Sequence, residues 1–175
     1  GRSHTCAILS NQSVYCWGSA QYGQLGNGID NFDGSGYPDD YFEIPPSRAE
    51  LPEGQVPTKI SSGANHNCVL TESGDVFCWG DNEYGQLGIS GVGNSGVNVP
   101  TMVPIGSHVS GDSSVTYIDA GESNTCAITA DGVALCWGRG DSGQNGDDST
   151  EDRLVPSVVS FDWAIDVGTG SPNPD

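Results

Sequence analysis

Cysteine stands at positions 6 and 16, 68 and 78, and 126 and 136, three pairs with one shared spacing. Zinc and iron–sulfur centres ask for close-set ligands such as Cys-x-x-Cys, and none occurs here. Oxidised pairs ask instead for strands that bring two thiols face to face, and for an oxidising compartment. The spacing therefore favours the disulfides Cys6–Cys16, Cys68–Cys78 and Cys126–Cys136. Free core thiols and a metal are the competing readings.

A second group of residues could hold a cation. Asp30, Asp33, Asp39, Asp40 and Glu43 crowd a long connection at 27–46, with Gly34 and Gly36 allowing tight turns. Hard oxygen ligands on such a loop suit Ca²⁺, although the spacing is not that of an EF-hand. A solvated acidic loop is the alternative. The stretch GDDSTED at 146–152 is a weaker candidate of the same kind. Ca²⁺ is the one cofactor these residues suggest.

Other chemistry is sparse. His4 and His66 each stand two residues before a cysteine. A catalytic base needs an acid or nucleophile beside it. Repetition at one phase points instead to a structural link between neighbouring units. His108 carries no pattern. Arg139-Gly140-Asp141-Ser142 matches an integrin-type adhesion motif, in a place where the other units have an ordinary turn. Asn11-Gln12-Ser13 is a glycosylation sequon, usable only in a glycosylating host. No nucleophile elbow, phosphate loop or zinc-hydrolase motif is present.

The elements that position these residues repeat. CAILSNQSVYCWGSAQYGQLG (6–26), CVLTESGDVFCWGDNEYGQLG (68–88) and CAITADGVALCWGRGDSGQNG (126–146) are offset by 68 − 6 = 62 and 126 − 68 = 58 residues. That period marks stacked supersecondary units. Each unit holds a Trp (Trp17, Trp79, Trp137) directly after its second Cys and a turn Gln (Gln24, Gln86, Gln144). In residues 66–80, two short apolar runs flank the polar turn TESGD, which predicts a β-hairpin. Its centre at Ser73 places Cys68 opposite Cys78, within disulfide reach. Alternation puts Cys68, Leu70, Val76 and Cys78 on one side and Val69, Phe77 and Trp79 on the other. Both sides are apolar, so the hairpin must be covered on both faces, as in a stack of small sheets.

VPTKIS (56–61), VTYIDA (115–120) and WAIDV (163–167) supply a leading strand; VNVPTMV (97–103) and RLVPSVV (153–159) supply a trailing one. The internal prolines mark the latter as edge strands. The prediction is an all-β chain of three four-stranded antiparallel blades in one segment, 1–175. The repeats run approximately 1–62, 63–120 and 121–167, with 168–175 a tail or the start of a further repeat. Gly1 aligns with Gly63 and Gly121, so the first blade begins after its leading strand.

Gly-x-x-His-x-Cys, Cys-Trp-Gly and Gly-Gln-Leu-Gly together resemble the repeat of the regulator-of-chromosome-condensation family, over nearly the whole chain. The resemblance implies a β-propeller, typically of seven blades, in an extracellular, disulfide-containing variant. The third copy departs from it, with Asn124 in place of His4 and His66 and Asn145 in place of Leu25 and Leu87. A plant UV-B photoreceptor has this fold, but its Gly-Trp-Arg-His-Thr motif reads Gly-Arg-Ser-His-Thr at Gly1–Thr5. The repeated tryptophans therefore read as packing between blades.

Three blades fall short of a closed ring. Two expectations follow. Either further blades lie outside this segment, or copies of the chain join head to tail, for example as a six-bladed dimer or a filament.

Composition narrows the function. The 175 residues carry 26 Gly, with 35% hydrophobic and 16% charged residues, which suits a turn-rich β protein. Five Lys+Arg against 23 Asp+Glu give a net charge of −18, which repels nucleic acid and anionic lipid. No apolar run is long enough to span a bilayer. The chain starts at Gly1, so a leader removed or a longer parent is expected. The expectation is a non-catalytic secreted or cell-surface scaffold or binding module for a protein or glycan. The resemblance adds one precedent, a secreted family member that inhibits β-lactamases. The alternatives are nucleotide exchange with chromatin binding, as in the family's nuclear founder, and a glycan-active enzyme using loop carboxylates.

Overall fold

The computed structural model describes residues 1–29, 44–93 and 96–160. Among them are eleven strands and one 3₁₀ turn, Ile105–Ser107, which the sequence pattern did not announce. The first sheet is β1 (His4–Ile8), β2 (Val14–Gly18) and β3 (Ile44–Arg48). The second runs β4 (Pro57–Ser62), β5 (His66–Thr71), β6 (Val76–Gly80) and β7 (Val97–Met102). The third runs β8 (Val115–Ala120), β9 (Asn124–Thr129), β10 (Ala134–Gly138) and β11 (Arg153–Val158). Spatial order follows chain order in each sheet, and every pair is antiparallel. The first sheet has three described strands and the others four.

The hairpins place the cysteines directly opposite: Cys6 faces Cys16, Cys68 faces Cys78 and Cys126 faces Cys136. All three pairs are disulfides, with Cα–Cα separations of 4.1, 4.2 and 4.1 Å. Such separations belong to the closer, non-hydrogen-bonded class of antiparallel pair. The turn between β5 and β6 closes through Thr71 N–H to Asp75 C=O and Gly74 N–H to Thr71 C=O. Gly74 takes φ +83° there, Gly132 takes +81° in the third hairpin, and Gln12 is forced to +66° in the first. A side chain in that region is strained.

Pro100 and Pro156 lie in β7 and β11, at sheet edges where a missing N–H breaks no ladder. At the opposite edges, β4 packs on β8 and β1 packs on β4, so these strands converge on one side of the stack. The middle sheet is buried on both faces: every residue of β5 and β6 is buried. On one face Cys68, Leu70, Val76 and Cys78 join Val115, Ile118, Ala127, Leu135 and Trp137 of the third repeat. On the other, Val69 and Trp79 join Val14, Cys16 and Leu25 of the first. A fully buried side chain of this size contributes about 1.5–3 kcal/mol.

Candidate functional site

The polar side chains that recur in each repeat meet at the junctions between sheets, and each junction is built from a turn glutamine upward. Each Gln folds its own turn by accepting a backbone N–H two residues earlier. Tyr22 N–H reaches Gln24 Oε1 at 2.7 Å, Tyr84 N–H reaches Gln86 Oε1 at 2.9 Å, and Ser142 N–H reaches Gln144 Oε1 at 2.8 Å. That leaves the Gln main-chain carbonyl aimed at the next sheet. Trp79 Nε1–H donates to the Gln24 carbonyl at 3.0 Å, and Trp137 Nε1–H donates to the Gln86 carbonyl at 2.9 Å. The residue before the first Cys of the next hairpin supplies a second donor. Asn67 Nδ2–H reaches the Gln24 carbonyl at 2.8 Å and Thr125 Oγ1–H reaches the Gln86 carbonyl at 2.9 Å.

The histidines complete the junctions and their tautomer is determined. Thr125 spends its proton on Gln86, so at 2.9 Å it accepts from His66, whose Nε2 must carry the hydrogen. Asn67 spends its amide on Gln24, so its Oδ1 accepts from His4 Nε2–H at 2.8 Å and from the Ser62 hydroxyl at 2.6 Å. Both Nδ1 atoms are buried and have no partner. Protonation would bury a cation, so burial holds His66 down at about 3; weak repulsion from His4 adds to this. Burial lowers His4 as well, against the raising effect of its bond to Asn67. These rings are structural links and not bases for neutral-pH chemistry. Gly63 makes room for them: a Cβ there would collide with the His66 ring and the Gly121 carbonyl.

Towards the edge where the first strands converge, a backbone relay joins the three units. Arg2 N–H donates to the Ala64 carbonyl at 3.0 Å and Ala64 N–H donates to the Glu122 carbonyl at 2.9 Å. Beside it, Ser61 Oγ–H donates to Asp119 Oδ1 at 2.8 Å and accepts Ala120 N–H at 2.9 Å. Lys59 lies over the Tyr117 ring at 3.2 Å. An open cavity of about 620 Å³ sits along this relay, lined by Arg2, Ser62, Ala64, Ala120 and Glu122 among others. It gathers backbone polar groups and no nucleophile–base pair.

The remaining candidates behave differently. Asp30, Asp33, Asp39, Asp40 and Glu43 lie outside the described residues. So do 163–167, offered above as a strand. At 146–152 two of the carboxylates, those of Asp147 and Asp152, meet protein donors, while Asp147 Oδ1 is buried without a partner among the described residues. Asp147 pairs with Arg153 and accepts from Ser157, which holds its carboxyl below the usual range. Asp152 accepts Gly140 N–H at 2.8 Å. Among the described residues no three His, Cys, Asp or Glu side chains gather as metal ligands. In the Arg139–Ser142 turn, Arg139 closes on Asp141 at 2.5 Å and stacks 5.3 Å from the Tyr84 ring. Arg and Asp are thus tied to each other on an exposed turn. Asn11 is exposed, with its Oδ1 accepting Ser13 N–H at 3.1 Å. Trp79 and Trp137 are fully buried, whereas Trp17 is half-buried; Gln24 and Gln86 are buried, whereas Gln144 is exposed. Asn145 is buried in the leucine position and donates to the Gly138 carbonyl at 3.0 Å.

Sequence reasoning missed Asn67 and Thr125, each of which links a histidine to a Gln carbonyl at one junction. Their position directly before the cysteine was the available signal.

Two sequence profiles for the regulator of chromosome condensation (RCC1) repeat match the chain, one at residues 11–70 and 73–128, the other at 58–86 and 115–144. The chain belongs to the RCC1 repeat family. The RCC1 unit at 11–70 starts ahead of β2 and ends in β5, so it straddles two sheets and encloses one junction. The mouse probable E3 ubiquitin-protein ligase HERC4 is 32% identical over 91% of this chain, which covers 14% of that protein. The Ultraviolet-B receptor UVR8 of Arabidopsis thaliana is 29% identical over 91% of the chain and is covered to 32%. In solved structures, the RCC1 propeller of yeast Prp20 bound to Kap60 superposes with a TM-score of 0.79 at 22% identity, over 94% of this chain and 36% of that one. Human WBSCR16 gives 0.73 at 23% identity, over 91% and 38%. These likenesses establish the RCC1 β-propeller fold. The chain spans about a seventh of the mouse HERC4 and about a third of UVR8.

Proposed function

We propose that this chain is a non-catalytic propeller segment of an extracellular or cell-surface protein, serving as scaffold and as a binding module for a protein or glycan. The observation that carries the reading is the set of three disulfides, one across each hairpin. Such bonds persist in oxidising compartments and not in the cytosol. The net charge of −18 disfavours nucleic acid and anionic membrane as partners. Protein binding suits the fold, since solved relatives include Prp20 bound to Kap60 and a study of its binding to Gsp1p and histones. Partners on the open sheet faces would be further blades or copies of the chain joined head to tail.

The test is thiol labelling of the protein taken from its source cells without reductant, together with surface biotinylation. Six blocked cysteines and surface labelling support the reading. Free thiols in an intracellular fraction would overturn it. Nucleotide release from a small GTPase, if the protein stimulated it, would favour the exchange-factor alternative.

A further inference from the structure

The turn between β1 and β2 carries Asn11-Gln12-Ser13, an asparagine followed two residues later by a hydroxyl. That is the acceptor pattern for an N-linked glycan. Asn11 is the one asparagine of the chain with Ser or Thr at that distance. The pattern alone recurs by chance, so its place in the fold has to decide.

All three hairpin turns close alike. Leu9 N–H donates to the Ser13 carbonyl and Gln12 N–H to the Leu9 carbonyl. Thr71 and Asp75, Gly74 and Thr71, Thr129 and Val133, and Gly132 and Thr129 pair in the same way. Asn11 therefore occupies the position of Ser73 and Asp131, and all three residues are exposed. Ser73 is the informative one. Its sheet is covered on both faces, with every residue of β5 and β6 buried, and Ser73 stays exposed. Covering the outer face of the first sheet would thus leave the apex at Asn11 open to solvent. The reacting groups are also uncommitted. Asn11 Oδ1 accepts Ser13 N–H at 3.1 Å. Among the described residues nothing engages Asn11 Nδ2 or the Ser13 hydroxyl, the two groups a glycan transferase uses.

We propose that Asn11 carries an N-linked glycan. The donor is an oligosaccharide held on a lipid diphosphate. Asn11 Nδ2 forms a bond to the anomeric carbon of the first sugar, and the bond from that carbon to the diphosphate oxygen breaks. The electron pair leaves with the lipid diphosphate, and one Nδ2 proton passes to the transferase. The inference rests on the extracellular reading above. Topology sets what the glycan would cover. β2 leads away from Asn11 to the Gln24 turn, and Arg2, Ala64 and Glu122 stand just before β1, β5 and β9. The cavity along their relay lies at the far end of the strands, about 17 Å away along the five residues of β2. A glycan at Asn11 would screen the hairpin end and leave the cavity end free for a partner.

The test is the intact mass of the chain taken from its source cells, before and after peptide N-glycosidase. Digestion in heavy-oxygen water marks the asparagine that is released as aspartate. One glycan should be lost, with the mark at Asn11. In the same cells Asn11→Gln and Ser13→Ala should each abolish the mass difference, and Ser13→Thr should retain it. Circular dichroism should be unchanged, since all three substitutions lie in the turn. An unmodified Asn11 in a protein whose six cysteines are blocked would overturn this inference and leave the extracellular reading standing. An unmodified Asn11 together with free thiols would overturn both. Sugar that persists in Asn11→Gln or in Ser13→Ala would also overturn the assignment.

Discussion

Acidification should destabilise this protein through His66, and the size of the effect follows from its surroundings. The ring is 0% exposed, its Nε2–H is committed to Thr125, and its Nδ1 has nothing to meet a new proton. Burial, aided by His4, depresses the folded-state value to about 3, whereas the unfolded chain titrates near 6.5. Below pH 6.5 the unfolded state therefore binds a proton that the folded state refuses. Stability is unaffected by this group above pH 7, falls as pH drops through 6.5, and stops falling below the folded value. At pH 5 the linkage cost is about 2 kcal/mol. His4, also lowered by burial, adds a loss of the same sign. His66→Asn removes the titrating group while placing at 66 the residue that the third repeat carries at Asn124. Urea unfolding of both proteins, disulfides intact, at pH 7 and pH 5 isolates the term, since carboxylates and net charge are common to both. The stability gap between them should shift by about 2 kcal/mol in the variant's favour on going to pH 5. A gap that stays constant between the two pH values would refute the account of the buried ring.

Other outcomes follow from the same junctions. Trp79→Phe keeps the aromatic bulk but strands the Gln24 carbonyl of one donor, and should cost about 1–2 kcal/mol in chemical denaturation. Gly63→Ala should cost about 1–3 kcal/mol, because the new methyl meets the His66 ring and the Gly121 carbonyl, and a thermal shift assay will register it. Gln12→Gly should stabilise by about 1 kcal/mol by relieving φ +66° while preserving the Asn11 sequon, read by the same denaturation curves. Under mild reductant the two disulfides with a half-buried cysteine, Cys6–Cys16 and Cys126–Cys136, should open before Cys68–Cys78, which is buried between neighbours; timed alkylation and mass spectrometry give the order.

The hairpins were open to reading in the sequence because their signals are local. Cys68 and Cys78 straddle a polar turn, Val69 and Trp79 alternate with them, and Pro100 and Pro156 mark the edges. Apolar residues on both faces of one hairpin implied sheets stacked on each side. The junction chemistry was far less legible. Its central acceptor is a main-chain carbonyl, which leaves no trace in residue type, and the side chain that joins the indole in donating to it, Asn67 or Thr125, differs between copies. The repeat of His4 and His66 pointed to a link between units, but naming the partner requires the register of one sheet on the next, a contact about 60 residues away. Gln12 resembles an ordinary turn residue until its backbone angle is known.

The acceptor at Gln24 and Gln86 belongs to the peptide backbone, so no exchange of side chain can delete it. Blades joined in this way are interchangeable parts. A unit can be duplicated, lost or borrowed, and the new neighbour still meets a carbonyl in the right place, provided it brings an indole. Such a lineage can change its length one blade at a time while each surface loop diverges freely.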